Sequence, residues 1–311
     1  MMLRQHVKET LEHTSGTQDP ETIEDLVKGR GELLRHLPAP EMRPRVGKVE
    51  DLSIPGPGGE IPIRIYTPEA EGPYPLFVYC HGGGFVRGSI EEFDHFCRWL
   101  TCKTKTKVIS VGYRLAPEHP FPAGAEDCYA AACWAAEHAL EQNGKRDQLI
   151  VGGESAGGNL AAVVAQIARD RGTPAISKQV LLYPVTDFYS PDVPCPYPSY
   201  EAYASGYRLT ARTMALFWSA YLPNPKDARH PYVSPIRAND LRGLSPALVL
   251  TAEYDVLRDE GEMYAKRLLE AGVPVTAVRI GGTIHGFALV FTEQEDGMEA
   301  LDAIASFLQQ L

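Results

Sequence analysis

The pentapeptide Gly153-Glu154-Ser155-Ala156-Gly157 places a hydroxyl where chemistry can be done with it. A β-branched run, Leu149-Ile150-Val151, precedes it, and a small-residue helical stretch, Asn159 to Val164, follows. That strand–turn–helix order predicts a sharp bend with the Ser155 hydroxyl pushed out of the sheet edge, where it can act as a nucleophile. Gly153 and Gly157 stand where any Cβ is expected to strike the neighbouring chain. The N-terminus of the following helix points its dipole at a developing oxyanion. A bare Gly-x-Ser-x-Gly also occurs as a plain strand-to-helix turn; the elements around it, and a second motif, favour the catalytic reading.

The second motif is His81-Gly82-Gly83-Gly84, which ends the apolar run Leu76–Cys80. A hydroxyl attacking a carbonyl makes a tetrahedral oxyanion that needs preorganised N–H donors. A glycine run lets amides turn inward, so Gly83, Gly84 and Ala156, the residue after the nucleophile, are the candidate donors. His81 reads as structural. A phosphate nest is the competing reading, but it wants a Lys, Ser or Thr nearby, and Phe85-Val86 follow instead.

These residues need a scaffold, and the chain alternates short apolar runs with longer amphipathic ones, which predicts an α/β fold. Val46–Ile54 and Ile61–Tyr66 read as an antiparallel hairpin around Pro55-Gly56-Pro57-Gly58-Gly59. A dinucleotide fingerprint there fails, because Ile61 occupies the third glycine position. Leu76–Cys80, Val108–Val111, Gln148–Val151, Val180–Tyr183, Ala247–Thr251 and Val273–Ile280 read as further strands. Helical periodicity fills Ala123–Glu141, Ser155–Arg171, Asp259–Ala271 and Gly297–Gln309. The expected architecture is a largely parallel sheet with helices on both faces. Residues 186–244 break the rhythm with a proline cluster and an amphipathic helix, Thr210 to Tyr221, which predicts an inserted cap. Residues 1–45, read as two polar helices and a Pro-rich link, join it as a second part of that layer, leaving 46–185 and 245–311 as the catalytic core.

With 44% hydrophobic and 23% charged residues, the chain has the composition of a globular protein and is not disordered. Its net charge of −10 argues against a nucleic-acid partner, since phosphate backbones recruit clustered Lys and Arg. The densest basic stretch, Lys103-Thr104-Lys105-Thr106-Lys107, reads as a solvated helix end. No apolar run approaches a membrane span, and the N-terminal residues carry no apolar signal core, so a cytoplasmic location is expected. Cysteines 80, 97, 102, 128, 133 and 195 lack metal-ligand spacing and read as small buried hydrophobes in a reducing compartment. No metal or organic cofactor is implied.

His-Gly-Gly-Gly followed about 70 residues later by Gly-Glu-Ser-Ala-Gly resembles the hormone-sensitive-lipase-like carboxylesterases of the α/β-hydrolase superfamily. The segment Tyr113 to Ala123, Leu182-Tyr183-Pro184 and Ile284-His285-Gly286-Phe287 share the resemblance, which runs from about residue 45 to the end. It implies an α/β-hydrolase fold with a central, mostly parallel eight-stranded sheet and a helical cap. In this fold the triad order is Ser, acid, His. Only His230 and His285 follow Ser155; His230 lies in the cap segment, whereas His285 follows the last strand in a Gly-rich loop, which makes it the base. Asp255 is the best acid: it follows the strand Ala247–Thr251 and matches an Asp-Pro-Leu-Arg-Asp pattern of the family, with Val256 in place of the Pro. Its rivals are Asp187 and Asp259, the latter read as the cap of the next helix.

The implied reaction is ester hydrolysis through an acyl-enzyme, with activity rising as His285 loses its proton. Met214, Phe217 and Trp218, with Phe85, are candidate pocket residues, against the simpler reading that they pack the cap onto the body. No charged anchor is apparent, so neutral short- to medium-chain acyl esters are the expected small-molecule substrates. An amidase, lactonase or deacetylase on the same triad is the alternative, because the cap reads the leaving group. A non-catalytic small-molecule receptor, as some plant relatives in this family resemble, is the third reading and predicts a missing triad member. The last helix offers a surface for a homodimer, a point composition leaves open.

Overall fold

The computed structural model describes residues 2–14 and 19–310; of the segment 1–45, Met1 and residues 15–18 lie outside the described residues. The helices are α1 (Gln5–Thr14), α2 (Ile23–Lys28), α3 (Asp94–Thr104), α4 (Ala123–Glu137), α5 (Ala156–Arg171), α6 (Ser199–Ala202), α7 (Ala211–Tyr221), α8 (Arg258–Glu270), α9 (Phe287–Val290) and α10 (Glu295–Gln309). The strands are β1 (Lys48–Gly56), β2 (Gly59–Thr67), β3 (Tyr74–Cys80), β4 (Lys107–Val111), β5 (Gly144–Glu154), β6 (Lys178–Leu182), β7 (Ala247–Tyr254) and β8 (Val275–Ile284). They form one eight-stranded sheet in the order β1-β2-β4-β3-β5-β6-β7-β8. The β1–β2 and β2–β4 pairs are antiparallel and the other five parallel, which is the sheet the alternating pattern predicts.

Side-chain alternation divides the core between the two faces of this sheet. On β3, Leu76, Val78 and Cys80 enter one buried cluster with the alanine-rich faces of α4 and α5. Phe77 and Tyr79 enter the other, with Phe96 of α3 and Leu301 and Ile304 of α10. Because both faces are covered, β3, β4 and β6 are buried at nearly every position and are mostly apolar rather than alternating.

The basic stretch 103–107 departs from expectation. Lys103 is in the last turn of α3 and Lys105 caps it in a left-handed conformation, but Lys107 begins β4 and is buried. Its ammonium donates to the Gln142 carbonyl at 2.6 Å and lies over the Tyr74 ring. The strand's need for Lys107 in the ladder outweighs the cost of burying the charge, which keeps a hydrogen bond and an aromatic face. The cysteines divide as well: Cys80, Cys97 and Cys128 are buried, whereas Cys102 and Cys133 are half-buried and Cys195 is exposed.

The two N-terminal helices serve different parts of the molecule. α1 lies against β8, where the Arg4 amide donates to the Gly282 carbonyl and His6 contacts the buried Asp296 of α10. α2, started by a capping box between Thr22 and Asp25, packs against α7 of the 186–244 segment. No helix among the described residues is long and apolar enough to cross a membrane.

Candidate active site

β5 ends at Glu154 and α5 begins at Ala156, so Ser155 takes the whole bend between them with φ 56° and ψ −120°. A non-glycine residue in that conformation is strained and persists only where the surroundings hold it. Here the Ser155 amide donates to Leu182 of β6 at 2.9 Å, and its carbonyl accepts from Asn159 and Val185, each at 3.1 Å. The flanking glycines have the steric role expected of them: a Cβ on Gly157 would strike the Cys80 carbonyl, and one on Gly153 would strike both Cys80 and Gly157.

The three residues proposed for the triad come from the ends of β5, β7 and β8, and the fold brings them together. The Ser155 hydroxyl lies 2.9 Å from His285 Nε2, and His285 Nδ1 lies 2.7 Å from Asp255 Oδ2. With Nδ1–H donating to the carboxylate, Nε2 is left to accept the hydroxyl proton. Asp255 Oδ1 accepts from the Leu257 amide at 3.0 Å, which holds the carboxylate. All three side chains are buried, so their charges act in a poorly screened setting.

The rival acids have other partners. Asp187 accepts two hydrogen bonds from Arg237 and one from the Tyr197 hydroxyl at 2.8 Å. Asp259 does not cap α8: the N-cap position belongs to Leu257, and Asp259 sits in the first turn, where it accepts from the Ser199 amide at 2.7 Å and pairs with Arg258. The chain enters α8 straight from the Asp255 turn, so the helix begins earlier than the sequence pattern suggests.

The glycine loop curls back over this bend. Gly83 and Gly84 have φ of 113° and 63°, and Gly83 O accepts from Val86 and Arg87 in a tight turn. Among the described residues, the amides of Gly83, Gly84 and Ala156 are not engaged by any protein acceptor. His81 packs between Tyr113 and Phe93, with ring centroids 4.3 and 5.4 Å away, and its Nδ1–H donates to the Gly82 carbonyl. Burial lowers its pKa to about 4, so it stays neutral. The Tyr113 hydroxyl donates to His81 O at 2.8 Å, and the Ala116 amide to Phe85 O at 2.9 Å. The segment beginning at Tyr113 therefore braces the loop.

Two further residues stand beside the triad, both inside motifs quoted above but given no role there. Glu154 is buried against Gly82, which has no Cβ because one would strike this carboxyl. Burial pushes the Glu154 pKa up, opposed by the charges of His285 and Arg208. The Tyr183 ring meets His285 edge-on at 4.9 Å. Of the candidate pocket residues, Phe217 lies over Gly84, whereas Phe85 stacks on Tyr221 at 3.9 Å and contacts Trp218, and Met214 is buried with them. A separate groove of about 490 Å³, lined by Pro55, Tyr129, Cys133, Trp134 and Arg171, includes none of the triad residues.

The chain is similar to known proteins in sequence and in fold. Residues 77–289 match the family model described as alpha/beta hydrolase fold. The chain is 44% identical over 278 residues to the carboxylic ester hydrolase LipN of Mycobacterium tuberculosis, covering 86% of this chain and 72% of that protein. It is 40% identical over 243 residues to an arylesterase of Saccharolobus solfataricus, covering 78% of each. Among solved structures, a hyperthermophilic esterase from Pyrobaculum calidifontis superposes with a TM-score of 0.90 at 42% identity, covering 99% of this chain and 98% of that one.

Proposed function

The chain belongs to the hormone-sensitive-lipase-like carboxylesterases of the α/β-hydrolase superfamily, and from that premise we propose that this carboxylic ester hydrolase works through Ser155, His285 and Asp255. The observation that carries the reading is the unbroken line of hydrogen bonds, 2.9 Å from Ser155 to His285 and 2.7 Å from His285 to Asp255.

His285 takes the Ser155 proton as the hydroxyl oxygen attacks the ester carbonyl. Asp255 keeps Nδ1 protonated and stabilises the imidazolium that forms. Negative charge on the carbonyl oxygen is met by the amides of Gly83, Gly84 and Ala156 and by the N-terminus of α5. His285 then protonates the leaving alcohol, and water repeats the sequence to release the acid. The free state of those three amides supports the oxyanion assignment.

Residues 46–185 and 245–311 serve as the catalytic core and 186–244 as the cap. α2 extends the cap through its packing on α7, while the contacts of α1 are with the core. Phe217, over the oxyanion loop, forms the wall for a short- to medium-chain acyl group, and Phe85, Met214 and Trp218 back it. The test is hydrolysis of p-nitrophenyl esters of graded acyl length by the wild type and Ser155→Ala. The variant is expected to lose turnover, and unchanged hydrolysis would overturn the assignment.

A further inference from the structure

Arg208 occupies an unusual position for a charged residue. It lies in the cap loop before α7 with φ 71°, in the left-handed region that side chains rarely adopt. Its Nη1 donates to the carbonyl of His285 at 3.3 Å. Gly286 makes this approach possible, since a Cβ there would strike the same Nη1. The guanidinium is thus seated on the backbone of the proposed base, while the residue as a whole remains exposed.

Its hydrogen-bonding capacity is largely unspent. Two other arginines at the boundary between cap and body are committed to carboxylates: Arg237 to Asp187, and Arg258 to Asp259. Arg208 has no carboxylate within ion-pair distance among the described residues, and its bond to His285 engages one of five N–H donors. The acidic groups in its field are Glu154, buried beside Ser155 and held toward its neutral form, the buried Tyr183 hydroxyl, and Glu32, exposed on the N-terminal segment. An unpaired guanidinium with free donors in a fixed fork is suited to bind a carboxylate.

Its side of the nucleophile indicates which part of a substrate it meets. The apolar wall of Phe217 lies over Gly84, at the oxyanion loop. Arg208 reaches the site at His285, through the backbone carbonyl of the base itself. The base must hand its proton to the leaving oxygen, so the alcohol portion of an ester lies on the imidazole side. We propose that Arg208 is a specificity residue that favours esters carrying a carboxylate on the leaving alcohol, such as an acetylated hydroxy acid. This rests on the esterase reading and narrows it: the acyl group is neutral and modest, and the anionic feature belongs to the alcohol.

The test compares kcat/KM for 3-acetoxybenzoate and its neutral methyl ester in the wild type, Arg208→Leu and Arg208→Lys. The ratio of anionic to neutral ester is expected to fall about ten-fold or more in Arg208→Leu, chiefly through KM, and to be partly kept in Arg208→Lys. In the wild type alone, the ratio should also fall as salt rises from about 0.05 to 0.5 M. An acyl-side carboxylate, in 4-nitrophenyl hydrogen suberate against 4-nitrophenyl octanoate, should show no comparable dependence on Arg208. A ratio unchanged within about two-fold in Arg208→Leu, or an equal dependence on the acyl side, would overturn the proposal while leaving the esterase reading intact. Hydrolysis of p-nitrophenyl esters but of neither ester of the matched pair would overturn the proposal alone, and failure of the wild type on every one of these esters would overturn both.

Discussion

Gly84 lies directly beneath the ring of Phe217, close enough that a Cβ on residue 84 would strike three carbons of that ring. α7 and the glycine loop thus meet at a point where a side chain on residue 84 has no room, and φ of 63° at Gly84 favours glycine as well. Gly84→Ala is expected to lower kcat at least a hundred-fold, the order of losing one oxyanion donor. Part of that loss comes from the clash, so adding Phe217→Ala should cost less than the two single effects combined. Steady-state kinetics of the four proteins in the cycle measure the coupling.

Asp255 and Asp187 both follow parallel strands, yet only Asp255 reaches His285. Asp255→Asn should reduce kcat by about 10³–10⁴ through the wrong imidazole tautomer, with the fold intact. Asp187→Asn should instead weaken the fold, because it loosens the buried contacts to Arg237 and Tyr197, and should leave kcat within about ten-fold. Comparison of turnover with urea midpoints separates the two; the reverse pattern would refute the assignment.

His81 makes the protein sensitive to acid. Its pKa is 6.5 when unperturbed and is lowered by burial to about 4 in the fold. The unfolded chain therefore binds the extra proton between these values. The stabilising contribution is complete above about pH 6.5 and is lost as pH falls toward 4, reaching about 3 kcal/mol. His81→Phe keeps the stacking on Tyr113 and Phe93 but cannot titrate. Its unfolding free energy should fall less steeply than that of the wild type between pH 6.5 and 4, whatever its level at pH 7. Parallel urea titrations across that range check it.

Glu260 of α8 has the opposite sign. It is buried, accepts from the Thr186 amide at 2.6 Å and the Asp187 amide at 3.3 Å, and burial, with Asp187 nearby, pushes its pKa well above 4.5. The native state therefore holds a proton that the unfolded chain releases. Its stabilising share is full below about pH 4.5 and declines as pH rises toward the folded value. Glu260→Gln retains the acceptor for both amides and removes the titration. Thermal unfolding from pH 5 to 9 should show the variant gaining on the wild type as pH rises.

Much of the scaffold is legible in the chain because its causes are local. The strands around the site are apolar runs that coverage on both faces requires. The elbow is visible because glycines at 153 and 157 are forced by contacts within one strand–turn–helix unit and its neighbour. Asp259 and Lys107 were harder. An Asp just before an amphipathic run reads as a cap, but the Asp255 turn starts α8 early. A Lys after a helix reads as solvated, but β4 needs its backbone in the ladder. Both errors arise where a tertiary demand outweighs a local preference.

By itself the sequence determined the alternation of strands and helices, the bend at Ser155, the glycine loop and the candidates for base and acid, since periodicity, sterics and chain order are properties of neighbouring residues. Only the tertiary structure decided that Asp255 rather than Asp187 faces His285, that Tyr113 braces the loop at His81, that Glu154 fills the space left by Gly82, and that Arg208 rests on His285. Those pairings depend on distances between segments separated by as many as 77 positions, from Arg208 to His285, and such distances are set by how the sheet orders its strands and how residues 186–244 pack on it.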